Sequence, residues 1–280
     1  RVNTYTSSSQ FDPSVTATSD GGFMVTWCDD SGHSGGSGYD IRGQRFDSDG
    51  STMGAEFLVN AQYTSGYQYS PSVAELDGGD LMVAWYDDGQ GDDIYAQRVN
   101  TDGSLDGDRF RVNTYTNNVQ SEPDITATSD GGFVVTWQSR YQDYSSTYGV
   151  YGQRYHADGT TNGSEFHVNT QYTSGHQYNP KVVELADGDL VVAWYDENRS
   201  DVYAQRLNAD GSVDGTEFRV NTYTSSTQYQ PDLVALPDGG FVVTWSSYNQ
   251  DGSQYGIYGQ RYDTAGDAVG AEFRVNDNTY

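Results

Sequence analysis

Two groups of residues have the types and spacing for chemistry. The first is a pair of matching phrases, Gln62-Tyr63-Thr64-Ser65-Gly66-Tyr67-Gln68-Tyr69 and Gln171-Tyr172-Thr173-Ser174-Gly175-His176-Gln177-Tyr178. Aromatic faces stack on the C–H faces of sugars, while neighbouring amides and hydroxyls take the hydrogen bonds. Rigid aromatics among adaptable polar groups also suit protein recognition. Tyr63, Tyr67, Tyr69, Tyr172, His176 and Tyr178 are therefore the candidate ligand-binding residues, with Gly66 and Gly175 allowing the turns that present them. The second group is acidic: Asp47-Ser48-Asp49-Gly50, Asp102 with Asp106, and Asp210 with Asp214. Carboxylates two apart before a glycine resemble the first half of a calcium loop, so Asp47, Asp49, Asp102, Asp106, Asp210 and Asp214 are candidate metal ligands, with calcium as the expected ion. No closing glutamate follows, and an ordinary Asp-Gly turn is the stronger reading of the same residues.

Catalysis has less to stand on. His33, His156, His167 and His176 occupy unrelated repeat positions without metal-ligand spacing, and no serine or cysteine nucleophile motif is present. Cys28 reads as an incidental thiol, and a single cysteine excludes an intrachain disulfide framework and a cysteine zinc site. The 280 residues carry 40 acids against 14 bases, a net charge of −26, and the acids divide into 32 Asp and 8 Glu. Aspartate favours turns where glutamate favours helices, so the charge belongs to loops. A field of this sign repels nucleic acid and anionic lipid, and no apolar run is long enough to insert in a membrane.

The elements that hold these residues follow from an internal repeat. Trp27, Trp85, Trp137, Trp194 and Trp245 recur at spacings of 58, 52, 57 and 51 residues, each closing a phrase such as Gly-Phe-Val-Val-Thr-Trp (240–245). Pro13, Pro71, Pro123, Pro180 and Pro231 precede the phrase in one register, and a Gln-Arg pair follows it in every unit. Each unit reads as four short strands; in the fifth these are Asp232–Leu236, Phe241–Ser246, Gly256–Tyr262 and Glu272–Asn276. Around Trp245, one strand face is fully apolar and the other half apolar, as a sheet stacked between two neighbours requires. The expectation is an all-β, five-bladed β-propeller of four-stranded antiparallel blades. Residues 1–280 are read as a single domain with blades at about 4–60, 61–113, 114–169, 170–221 and 222–276. The fivefold Gln-Arg pair is expected to be an architectural lock, the small residue before it leaving room for the guanidinium. The Val-Asn of the fourth strand occurs six times, first at Val2-Asn3 and last at Val275-Asn276.

The unit Glu-Phe-Arg-Val-Asn-Thr, then Gln-x-x-Pro, then Asp-Gly-Gly-Phe-Val-Val-Thr-Trp, then Gly-Ile-Tyr-Gly-Gln-Arg-Tyr-Asp resembles propeller-type repeats of large secreted bacterial adhesin-like proteins associated with repeats-in-toxin modules. The resemblance implies an extracellular or cell-surface, calcium-associated setting and a place within a larger chain; it implies no reaction. The nonapeptide calcium repeats themselves are absent. Together these signs give an extracellular, non-catalytic recognition or adhesion module, lectin-like, whose partner is a glycan or cell-surface ligand. The alternatives are a structural spacer of a large surface protein and a glycan-active propeller enzyme. A unique pair of inward-facing carboxylates would mark the enzyme; since the acids recur with the repeat or sit in turns, no pair is inferred.

Overall fold

The computed structural model describes residues 1–30, 32, 38–143 and 147–277. Among these, one 3-10 turn at Asp88–Gln90 is the sole helical element. The first blade is β1 (Gln10–Ala17), β2 (Phe23–Asp29), β3 (Asp40–Phe46) and β4 (Thr52–Leu58). The second is β5 (Gln68–Glu75), β6 (Leu81–Asp87), β7 (Asp93–Val99) and β8 (Leu105–Arg111). The third is β9 (Gln120–Ala127), β10 (Phe133–Arg140), β11 (Tyr148–Tyr155) and β12 (Phe166–His167). The fourth is β13 (Gln177–Glu184), β14 (Leu190–Asp196), β15 (Asp201–Leu207) and β16 (Val213–Arg219). The fifth is β17 (Gln228–Ala235), β18 (Phe241–Tyr248), β19 (Tyr255–Tyr262) and β20 (Ala268–Arg274). Each set forms one four-stranded sheet in chain order.

The hairpin between first and second strands follows from the Asp-Gly signal. In the fifth blade Gly239 donates its N–H to the Leu236 carbonyl at 2.9 Å, and its φ of 87° is one that glycine adopts without strain. Two strand boundaries differ from expectation. β17 begins at Gln228, ahead of Pro231, because the register slips between Tyr229 and Asp232. That bulge removes the ladder bond proline cannot make, so the strand runs through it. β20 starts at Ala268 and stops before Asn276, whose side chain leaves the ladder and accepts from the Ile257 N–H at 2.7 Å.

The chain comprises two compact units, Arg1–Trp137 with Tyr155–Asn162, and Gln138–Arg154 with Gly163–Tyr280. In the first, Met24, Cys28 and Ile41 of one blade pack with Val73, Val83 and Trp85 of the next. In the second, Val191, Ala193, Val202 and Ala204 pack with Phe241, Val243 and Trp245. Both strand faces are thus covered, as the pattern around each tryptophan requires. Each indole is at most 3% exposed, and burying roughly 200 Å² of ring contributes on the order of 5 kcal/mol of transfer free energy.

The Gln-Arg pairs act as framework. Gln97 Nε2 donates to the Arg98 and Asp106 carbonyls, both at 2.9 Å, holding β7 to β8 where their register shifts. Arg98 pairs with Asp80 at 2.7 Å and donates to the Ala157 carbonyl at 3.1 Å, joining two blades of one unit. The small residue before the pair serves a different purpose from the one expected. A Cβ at Gly43 would stand 2.4 Å from Met24 and 2.9 Å from Phe57, and one at Gly259 would stand 2.8 Å from Phe273. At these two positions the space belongs to apolar neighbours, the fourth-strand phenylalanine and, at Gly43, Met24, and not to the guanidinium.

Candidate functional site

The loops carrying the candidate rings are anchored by the recurrent Val-Asn. Asn60 accepts from the Ile41 N–H at 2.8 Å, and its amide donates to Asp40 Oδ1, the Tyr63 carbonyl and Gln68 Oε1, each at 2.9 Å. Asn169 repeats this in the other unit, accepting from the Val150 N–H at 2.6 Å and donating to the Tyr172 carbonyl and Gln177 Oε1. A buried amide therefore fixes both ends of each Tyr-rich loop.

The six rings separate into two kinds. Tyr67, Tyr69 and Tyr86 form a row of near-parallel rings, with centroids 6.0 and 5.8 Å apart and interplanar angles of 17°. Tyr39 stands edge-on to Tyr67 and Tyr69. The other unit repeats the row as His176, Tyr178 and Tyr195, at 5.3 and 6.5 Å and 17° and 26°, with Tyr148 tilted against the first two. His176 Nδ1 accepts from the Tyr148 N–H at 3.2 Å. Tyr67 is 43% exposed, which leaves the end of its row open. Tyr63 and Tyr172 stand apart from the rows. Arg109 lies over Tyr63 at 4.6 Å and Arg199 over Tyr172 at 4.1 Å, and each arginine is fixed by a buried aspartate, Asp87 and Asp196 respectively, at 2.7 Å. These two rings pack against arginines; Tyr39 and Tyr148 flank the rows, and Tyr86 and Tyr195 complete them. The repeat positions after each tryptophan, Tyr86 and Tyr195, were the signal for the last pair.

A second cluster arises at the first-strand bulge. Asp12, Ser70, Glu122, Asn179 and Gln230 occupy one register, each immediately before the proline, with φ between 48° and 53°. This left-handed conformation is uncommon for residues with a side chain. In the first unit, Glu122 Oε2 is 3.3 Å from Ser70 Oγ, and Asp124 Oδ1 is 3.1 Å from Ser72 Oγ. Burial pushes the Cys28 thiol well above its ordinary range, and the Asp12 and Glu122 carboxylates add to the shift. Sequence reasoning passed over them because the bulge interrupts the alternation that would have grouped them; the signal was that Gln and Pro recur around a position that varies.

The candidate metal turns carry hydrogen bonds and ion pairs of their own. Asp47 Oδ1 accepts from the Ser48 N–H at 2.6 Å and Asp49 Oδ1 from the Ser51 N–H at 2.8 Å. Asp102 and Asp210 each accept a serine N–H at 2.9 Å and its hydroxyl at 2.6 Å, and these bonds hold both carboxyls below the usual range. Asp106 and Asp214 face Arg98 and Arg206 at 3.6 and 3.5 Å. Among the described residues no three histidine, cysteine, aspartate or glutamate side chains gather in a metal-holding group. His33 lies outside the described residues.

No family model matches the chain, and no curated protein matches it. Solved structures do. A protein of unknown function from Dyadobacter fermentans superposes with a TM-score of 0.71 at 11% identity, over 95% of this chain and 83% of its own. The Hadza microbial sialidase Hz136 gives 0.64 at 14% identity over 96% of this chain, which spans 59% of the sialidase's length. An α-L-arabinofuranosidase from Lactobacillus brevis gives 0.55 at 10% identity, with 92% of each chain covered. The chain is a five-bladed β-propeller. Named activities among these neighbours are glycan-directed reactions, including an ulvan lyase. That finding overturns the expected non-catalytic adhesion module. The neighbours named here show no link to adhesins associated with repeats-in-toxin modules.

Proposed function

We propose that this chain is a glycan-active propeller enzyme, with Asp12 and Glu122 as its acid–base carboxylates and Asp124 beside them. The supporting observation is the bulge register, where Asp12 and Glu122 take the position that Ser70, Asn179 and Gln230 fill in the other blades, and where Glu122 Oε2 stands 3.3 Å from Ser70 Oγ. Glycosidic cleavage uses such a pair: one carboxyl protonates the leaving oxygen while the other activates water or attacks the anomeric carbon. The strained backbone before each proline fixes where these side chains point, and strain of this kind concentrates at working sites. Tyr67 and Tyr69, in the same unit as these carboxylates, supply stacking surface for sugar rings. A polymeric glycan places the working site outside the cell.

The test is release of reducing ends, or of unsaturated ends, from a panel of polysaccharides. Asp12→Asn and Glu122→Gln are each expected to lower turnover at least about 100-fold, with Tm unchanged. Full activity in both variants would remove these carboxylates from the chemistry.

A further inference from the structure

Resting on the reading above, we infer that the glycan this chain takes is a neutral polysaccharide, not one bearing carboxylate or sulfate groups. An anionic sugar needs a cation, best an arginine fork, to replace the water it gives up on binding. The chain holds thirteen arginines and one lysine against 40 acids. At least ten of the thirteen arginines already lie within 4.0 Å of a carboxylate of their own chain.

The arginines packed on the Tyr-rich loops are held on more than one side. Arg109 is held by Asp87 at its edge and by Tyr63 and Tyr95 at its faces, with ring centroids 4.6 and 4.3 Å away. Arg199 is held by Asp196 and Tyr172 in the same manner. Turning either toward a substrate would strand a buried aspartate, which is strongly unfavourable. Arg140 is the exception, lying 4.6 Å from Tyr141 and 5.9 Å from Tyr148, beside the second row. Glu197 stands against that row, 4.0 Å from His176 Nε2, so no net positive charge faces the sugar there.

What the rows do present is acid and ring face. Asp88 accepts from the Tyr67 N–H at 2.6 Å, and Asp92 accepts from the Tyr86 hydroxyl at 2.6 Å. Around Tyr69 and Tyr178 burial raises the phenol groups, and Asp88 and Glu197 respectively push them the same way. Such a surface repels a uronate or sulfate and stacks well on a neutral ring. The fold is common to enzymes of both substrate types; the charges belong to this chain.

Affinity electrophoresis in gels holding linear arabinan, xylan, ulvan or polygalacturonate tests the class, and end-group release tests the enzyme. Retardation by arabinan or xylan but not by the anionic polymers is expected, weakened at least tenfold by Tyr67→Ala with Tyr178→Ala. Retardation by ulvan or polygalacturonate, or by none of the four, overturns the neutral-glycan inference. Retardation by a neutral glycan without end-group release from any substrate overturns the enzymatic reading and leaves the binding class standing.

Discussion

His167 shows how one residue sets a pH response. It stacks on Tyr151 at 4.5 Å and 7°, with Nε2 3.1 Å from Asn169 Oδ1, in a register where Arg111, Arg219 and Arg274 stand in other blades. Burial holds its imidazole below the ordinary 6.5. The unfolded chain therefore binds the proton first, and stability is complete above about pH 6.5 and lost as pH falls toward the depressed value. Asp87 and Asp196 act in the opposite sense. Burial raises both carboxyls, so their contribution is lost as pH rises from the unfolded value through the folded one. The informative quantity is the difference between variants: Tm of the wild type minus Tm of His167→Gln should decline between pH 7 and 5, followed by differential scanning fluorimetry. An unchanged difference would mean that the ring is protonated in the fold at no penalty. The aromatic candidates were legible at this scale because their phrases repeat. Their division into rows and packing partners was not, since it depends on arginines distant in sequence, Arg109 and Arg199.

Among elements, the end of the fourth strand carries the most consequence per side chain. Asn113 accepts from the Ile94 N–H at 2.7 Å and donates to Asp93 Oδ1 at 2.6 Å and to the Tyr115 carbonyl at 2.8 Å. Asn113→Ala leaves a buried N–H and a buried carboxylate short of partners, so a loss of about 1–3 kcal/mol is expected from urea unfolding. A loss under about 0.5 kcal/mol would show that water replaces the amide. Asn221, with the same three bonds, should behave alike. Blade number, strand order and hairpin turns could all be read from the tryptophan, proline and Asp-Gly registers. The first-strand bulge could not, because a one-residue slip leaves composition unchanged while redirecting Asp12 and Glu122. The enzymatic alternative could be named from the sequence, but not the carboxylates proposed to serve it.

For the whole molecule, the charge of −26 sets the response to ions. Self-repulsion disfavours the compact state, and added salt relieves it by screening. In the turns, Oδ1 of Asp102 and of Asp210 each accepts a serine N–H and hydroxyl, an arrangement that an ordinary Asp-Gly turn explains. Calcium and magnesium at equal ionic strength should therefore raise Tm alike; a distinctly larger calcium shift would mark a bound ion. The tryptophans permit a finer measurement. One indole sits in each blade at an equivalent, almost fully buried position, so native emission should be a single blue-shifted band. Replacing four indoles by phenylalanine leaves a fluorophore that reports on one blade alone. Five such proteins, unfolded in parallel, would give five red-shift midpoints. Their spread would measure how far a repeat architecture, stabilised by nearest neighbours, melts as one body or blade after blade.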